Sequence, residues 1–483
     1  MRNWGFMAYG MWVLGLILGG FMGVCGIVSL ILGEALWWKL MLCALGYAAL
    51  SFLCRSVSKR ISRQKQELIV SLSACYRIVV GLWILVPLLG SLPYLITGTL
   101  DSFTNAMFES ISGFTTTGSS VIMQPENISR GMLLWRSCTQ WIGGLGLVML
   151  VIMWTRDERI GNSGAGLMEA EFSGVRTRRL HPQLSKSIRK LWWIYVILTL
   201  VAAGGLWLCG NDLIESLCIG MSGVSTGGFM TRSNGLTDMG ISTMAVATLI
   251  MILSGINVGT IYNALKIKQN RDEELKVYLG AMAIGVICCV AGFAAERDGI
   301  GKALGYGIFH VASTISTCGF FAEGYESWPI SVTMVTLVLI VVGACSGSTG
   351  GGLKWKRVMI VMRFVKGYFT KMLHPNAVTL VRIDGNRVED EYVGKVFAFV
   401  FLYVLVLIGG AFLLTIDGET MVEGLTLAAT NIGNLGPNAM LKHVGLEVMY
   451  VNIGAFGKWT LIGMMLAGRL EVFAIIGLIV NKR

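Results

Sequence analysis

The chain has 483 residues, 54% of them hydrophobic and 14% charged, with a mean hydropathy of +0.68. Soluble domains are roughly a quarter charged, so the deficit excludes a globular soluble protein, and repeated apolar runs of ~20 residues have the length that crosses a bilayer core. The net charge of +11 does not point to nucleic acid, because the basic residues sit in short segments between apolar runs.

Those segments hold Arg55, Lys59, Arg60, Arg63 and Lys65; then Arg176, Arg178, Arg179, Lys186, Arg189 and Lys190. A third has Lys266, Lys268, Arg271 and Lys276, and a fourth Lys354, Lys356, Arg357, Arg363, Lys366 and Lys371. By the positive-inside rule they mark cytoplasmic loops of a polytopic membrane protein. The 11 cysteines are scattered without zinc-type spacing and read as small hydrophobes. Arg2 followed by a long apolar stretch without a small-residue cleavage site predicts a retained first helix with a cytoplasmic N-terminus.

In chain order, 4–32 and 37–54 predict an apolar hairpin turning at Gly33-Glu34, an addition resembling nothing later in the chain. From residue 68 one unit recurs four times: an apolar run, a short amphipathic run, a polar heptapeptide and a second apolar run. The spans are predicted at 71–96 and 132–154, 190–209 and 238–265, 275–295 and 329–365, and 393–416 and 445–480. The short runs between them are 101–112, 212–222, 300–313 and 419–430. The predicted organisation is a hairpin at 1–67 and repeats at 68–185, 186–270, 271–385 and 386–483, about ten spans in all. Repeated units in one membrane chain imply pseudo-symmetry, with function at the shared interface.

The heptapeptides are Ser112-Gly-Phe-Thr-Thr-Thr-Gly118, Ser222-Gly-Val-Ser-Thr-Gly-Gly228, Ser313-Thr-Ile-Ser-Thr-Cys-Gly319 and Thr430-Asn-Ile-Gly-Asn-Leu-Gly436. Position one is a hydroxyl residue, position five is Thr116, Thr226, Thr317 or Asn434, and position seven is always glycine. The frame favours Gly228 over Gly227 in the second copy. The short runs are too short to span, and three of them begin with N-cap residues and early acids, at Asp101, Asn211-Asp212 and Asp417. They predict four re-entrant half-helices, each aiming its negative end at an extended heptapeptide. Non-helical backbone at membrane depth survives only if buried in protein or lining a wet cavity. Four loops around one axis therefore predict a ring of carbonyls replacing the hydration shell of an alkali cation, with glycine where φ is positive and backbones approach closely.

Trp135-Arg136, Gln140-Trp141-Ile-Gly-Gly144 and Asn434-Leu-Gly-Pro437, together with this unit structure, resemble the Trk/Ktr/HKT superfamily of potassium-translocating proteins over essentially the whole chain, most closely its TrkH/TrkG branch. The resemblance implies potassium uptake across a bacterial inner membrane, with both termini cytoplasmic. It makes Thr115, Thr116, Thr117, Gly118, Ser225, Thr226, Gly227, Gly228, Ser316, Thr317, Cys318, Gly319, Gly433, Asn434, Leu435 and Gly436 the potassium-binding selectivity filter. Glycine at all four seventh positions goes with potassium over sodium in that superfamily. Cys318 and Asn434 depart from its pattern only in side chains. A homodimer on a cytoplasmic nucleotide-binding subunit of the TrkA type is also implied.

Gly343-Ala-Cys-Ser-Gly-Ser-Thr-Gly-Gly-Gly352 interrupts a span and is followed by Leu353-Lys354. It lacks the Gly-Lys-Ser/Thr of a phosphate loop, and ten residues this small and polar unwind a helix. By the resemblance it is an intramembrane gate, involving Gly343, Ser346, Gly347, Ser348, Thr349, Gly350, Gly351, Gly352 and Lys354. Arg469 lies inside the apolar run 459–480, where a charge needs a wet or paired site. Glu471 does not share its helix face, and the resemblance places an arginine here as a barrier beside the gate. Arg136 and Arg77 read as helix-end residues. His181, His310, His374 and His443 have no ligand spacing, which argues against an enzyme. A proton- or sodium-driven transporter of another solute is the alternative, disfavoured by fourfold repetition.

Overall fold

The computed structural model describes residues 2–62, 72–154, 164, 166–171, 184–261, 272–294, 300–322, 330–436, 449–472 and 474. The helices are α1 (Arg2–Ile31), α2 (Trp37–Ser62), α3 (Leu72–Thr97), α4 (Phe103–Phe114), α5 (Arg130–Leu145) and α6 (Leu147–Trp154). They continue with α7 (Leu184–Leu208), α8 (Leu213–Val224), α9 (Gly240–Ser254), α10 (Glu273–Ala294), α11 (Ile300–Ile315) and α12 (Ile330–Val342). After α13 (Trp355–Leu373) a two-residue antiparallel pair, β1 (Arg382–Ile383) and β2 (Asn386–Arg387), precedes α14 (Asp390–Ile416). α15 (Met421–Ile432), α16 (Met449–Asn452) and α17 (Ala455–Arg469) follow. Basic residues at 63, 65, 176–179 and 266–271, with His181, His443 and Pro437, lie outside the described residues.

Among the described residues seven helices are long and apolar enough to cross a membrane, and α5 with α6, bent by 75°, makes an eighth if taken as one span. The protein is an all-α, multi-pass membrane protein. α1 and α2 form the expected hairpin, turning at Gly33, whose φ is +70°. Gly15 and Gly19 let α2 approach α1, since a Cβ there would touch Ser51 and the Ala44 carbonyl. α1, α2, α7, α10 and α14 turn large apolar side chains outward. α5 does the reverse, with every residue from Gly131 to Gly144 buried.

α5 is the inner wall around which the site is built. The Gly146 elbow after it (φ +86°) interrupts an apolar run read from sequence as one helix over 132–154. The interruption of the third unit is where expected, with residues 343–354 between α12 and α13. α9 and α17 also stop short, at Ser254 and Arg469, inside runs read as continuous.

Candidate functional site

The four half-helices α4, α8, α11 and α15 end in one shared geometry. They run through position three of each heptapeptide, further than the extended backbone expected there. Two hydrogen bonds explain the extension. The position-five N–H donates to the position-two carbonyl, from Thr116, Thr226, Thr317 and Asn434 at 3.0–3.2 Å. The position-six N–H donates to the position-one carbonyl, from Thr117, Gly227, Cys318 and Leu435 at 2.8–3.0 Å. This is a Schellman closure, which needs a left-handed residue at position five. Glycine is usual there; here φ is +56° at Thr116, +54° at Thr226, +57° at Thr317 and +51° at Asn434. A β-branched residue in that region costs about 1–2 kcal/mol and persists only where the surroundings enforce it.

Position seven is left-handed as well, at Gly118 (+84°), Gly228 (+79°), Gly319 (+83°) and Gly436 (+72°). Gly227 is not, so the second copy has the register the frame favoured. These glycines are also where loops meet. A Cβ on Gly118 would strike the Gly227 carbonyl, one on Gly228 the Cys318 carbonyl, and one on Gly436 the Thr117 carbonyl. In each case the position-seven glycine of one loop abuts the position-six carbonyl of another. Among the described residues no N–H donates to the carbonyls of Thr116, Gly118, Thr226, Thr317, Cys318 or Asn434. Each half-helix brings about half a negative charge to the same place. Buried, unpaired oxygens at four negative helix ends suit a desolvated cation.

Side chains from α5 hold this arrangement. Gln140 donates from Nε2 to the Gly227 carbonyl (2.6 Å) and accepts from Ser222 Oγ (2.7 Å) and the Phe229 N–H (3.3 Å). The second loop's sixth carbonyl is thus engaged, whereas among the described residues no N–H donates to that of Cys318. Arg136 corrects the helix-end reading. It is mid-α5 and 2% exposed, paired with the fully buried Glu109 of α4 at 2.8 Å, and donates to Met230 O (3.1 Å) and Ser120 Oγ (3.0 Å). Glu109 also accepts from the Val121 N–H (3.0 Å), so this pair staples the chain leaving the first loop to α4 and α5. Asn434 Nδ2 donates to Thr117 Oγ1 (2.9 Å), and Ser119 donates to Asn431 Oδ1 (2.9 Å), joining fourth loop to first. Arg77 is exposed near the start of α3, as expected. His310 is buried within α11, a half-helix residue.

The segment 343–354 packs against these loops as a closed excursion. Its neck is zipped by Leu353 N–H to Val341 O (3.0 Å) and Lys354 N–H to Val342 O (2.7 Å), with Gly343 and Gly352 in contact, both left-handed. At its turn Gly347 lies against Asn257 and Ser348 Oγ donates to the Cys345 carbonyl (2.7 Å). Its tip touches the loops. The Gly351 N–H donates to Thr317 Oγ1 (2.7 Å) and Thr349 Oγ1 to Val224 O (3.2 Å), while a Cβ on Gly350 or Gly351 would strike the carbonyls of Ser316 or Gly433. Lys354 folds back to donate to Gly350 O. Arg469, 8% exposed, reaches Thr349 O (2.9 Å) and, across the site, Gly143 O (2.5 Å) and Gly144 O (3.0 Å) at the end of α5. Its neighbour Glu471, left-handed at φ +52°, pairs instead with Arg357 of α13.

Three positions had no signal in the sequence. Glu274 Oε1 accepts from Ser346 N–H (2.6 Å) and Lys356 N–H (3.1 Å), holding both ends of the excursion, and Asn257 Nδ2 donates to Ser346 O (2.6 Å). Glu171 accepts from Trp83 Nε1 (2.9 Å) and the Val148 N–H (3.2 Å), capping α6 just beyond the elbow. A buried acid opposite a buried arginine was the available signal for Glu109 with Arg136.

Four short helices whose ends meet at four loops, each followed by a helix that breaks beside them, define the class: a multi-pass membrane protein with one inserted excursion packed on those loops. The chain belongs to the TrkH cation transport protein family, whose model matches residues 46–284 and 299–482. It is 27% identical over 461 residues to the Trk system potassium uptake protein TrkH of Salmonella typhimurium, covering 93% of this chain and 89% of that one. It is 31% identical over 414 residues to the Trk system potassium uptake protein TrkG of Escherichia coli, covering 83% of each. Its fold is that of the potassium transporter TrkH from Vibrio parahaemolyticus, with a TM-score of 0.83 at 23% identity over 98% of both chains.

Proposed function

We propose that this protein takes up potassium through a filter formed by Thr115–Gly118, Ser225–Gly228, Ser316–Gly319 and Gly433–Gly436, gated by 343–354 with Arg469. The observation that carries the reading is the shared φ pattern, left-handed at positions five and seven of all four loops. One backbone conformation repeated in four dissimilar heptapeptides supports one ligand, and unpaired carbonyls support a cation. An organic-solute transporter has no use for four equivalent carbonyl sets, and the relatives are named potassium uptake proteins. The gate reading is supported by the excursion's contacts with the second, third and fourth loops and, through Arg469, with α5.

The four units run 68–185, 186–270, 271–385 and 386–483, after the hairpin at 1–67. The basic segments support a reading in which both termini lie in the cytoplasm of a bacterial inner membrane and a basic face docks a nucleotide-binding subunit of the TrkA type, with the chain as a homodimer. Flux is channel-like or coupled to a cation. Rubidium uptake into a potassium-uptake-deficient strain tests the core of this reading. Uptake at wild-type rate after Gly118→Asp or Gly319→Asp would sink the filter assignment.

A further inference from the structure

A cleft of about 760 Å³ lies apart from the four loops, between α1, the α5–α6 elbow and the start of α7. Its walls are apolar, running from Val24 and Trp141 at one end to Trp12, Trp154 and Arg189 at the other. Twelve helical residues separate Trp12 from Val24, about 18 Å at 1.5 Å per residue. One leaflet is half of a ~30 Å hydrocarbon core. The cleft therefore has the depth of one leaflet, on the side where the basic segments lie.

Its mouth differs from its body. Trp154 and Trp193 are 59% and 57% exposed there, as indoles at a membrane interface are. The exposed Arg189 guanidinium donates to the Met153 carbonyl at 3.3 Å, and the Arg55 guanidinium lies 4.8 Å over the Trp12 ring. Trp12 Nε1 is buried with no hydrogen-bond partner among the described residues, a donor without an acceptor. Gly20 leaves the floor open, since a Cβ there meets nothing within 4 Å. An acyl-length apolar channel ending in the Arg189 guanidinium, with an unused indole N–H beside it, is complementary to one class of molecule.

We propose that this cleft binds one anionic phospholipid, its acyl chain along α1 and its phosphate at Arg189. The acyl chain packs on Trp141 and Ile142, directly before Gly143 and Gly144, whose carbonyls accept from Arg469.

The test is native mass spectrometry of the purified full-length protein titrated with dioleoyl phosphatidylglycerol or dioleoyl phosphatidylcholine. The expected result is one phosphatidylglycerol retained under activation that strips phosphatidylcholine. Arg189→Gln should cut that preference about fivefold, as one basic residue near a membrane surface does. Gly20→Phe, which fills the cleft without a backbone clash, should abolish retention of both lipids, and Trp12→Phe should weaken retention of phosphatidylglycerol. Equal retention of the two lipids by the wild type, or an unchanged preference in Arg189→Gln, overturns the proposal. So does a disulfide between two copies of a Leu16→Cys variant in membranes, which would make the cleft a contact between chains. If Gly20→Phe fails to fold, the Arg189 comparison decides alone.

Discussion

Replacing Arg469 separates two ways of holding the path shut. In the first, its three hydrogen bonds tether the tip of the excursion to the end of α5. A hydrogen bond to a charged group contributes about 1.5–3 kcal/mol. Losing only the bond to the Thr349 carbonyl would then shift the balance toward the open state roughly 10- to 150-fold, at 1.4 kcal/mol per decade. In the second, the positive charge itself repels the permeating cation. Two like unit charges ~4 Å apart at an effective dielectric constant of ~20 repel by ~4 kcal/mol and by less at greater separation, a term of comparable size. Arg469→Gln removes both and does not distinguish them. Arg469→Lys does, because a compact ammonium keeps the charge but cannot span three carbonyls as a planar guanidinium can. The assay is rubidium influx into proteoliposomes at a clamped potential, without any regulatory subunit. Tethering predicts raised influx in both variants; repulsion predicts it in the glutamine variant alone. Wild-type influx in Arg469→Gln, with an unchanged melting temperature, would refute a gating role in either form.

Four further outcomes follow from the contacts around the loops. Gly118→Ala and Gly228→Ala each place a Cβ against a neighbouring loop's carbonyl at a left-handed position, so rubidium uptake should be lost. Thr226→Asn should retain it, because Asn434 already occupies the equivalent conformation. Glu109→Leu leaves Arg136 buried and uncompensated and should cost about 3–5 kcal/mol, read as a lowered melting temperature; adding Arg136→Leu should restore part of it, and additive losses would count against a coupled pair. Shortening 346–351, or Glu274→Ala, frees the excursion and should raise unstimulated influx; unchanged influx in both would remove the excursion from gating.

The heptapeptide register was legible because its requirement is conformational. Left-handed backbone selects glycine, and the frame that aligned four glycines also separated Gly228 from Gly227. The third unit's break was legible because ten small polar residues cannot remain helical in an apolar span. The other breaks were hidden for the opposite reason. Gly146 sits among leucines and Gly255 among isoleucine and serine, and glycine is frequent in this chain, so neither stands out. Beside the elbow lies a contact at long range: α5 passes so close to the first loop that a Cβ on Gly143 would strike the Phe114 carbonyl. Arg136 reads as a helix end in the sequence because its partner Glu109 is 27 residues away on another element. The exposed ends of α4 and α8 were shifted by one residue for a simpler reason, since Ser102 and Asp212 rather than Asp101 and Asn211 are the N-caps.

The four loops share a backbone but not their support, and that difference makes a last prediction. Thr116 and Thr226 turn their hydroxyls to the carbonyls directly before them, Thr115 and Ser225, at 2.7 Å. Thr317 instead accepts the N–H of Gly351 from the excursion. Replacing each by valine keeps the β-branched shape and removes only the hydroxyl. At 116 and 226 the loss is local. At 317 it leaves a buried N–H without its acceptor, a cost of about 1–3 kcal/mol that falls on the state in which the excursion is docked. Thr317→Val should therefore raise influx roughly 5- to 150-fold where the excursion is the barrier. It should leave the preference for rubidium over sodium intact, because no filter carbonyl has moved. Thr116→Val and Thr226→Val should show neither effect. If all three variants respond alike, the hydroxyls serve the filter itself, and the excursion's dock on the third loop is incidental to gating.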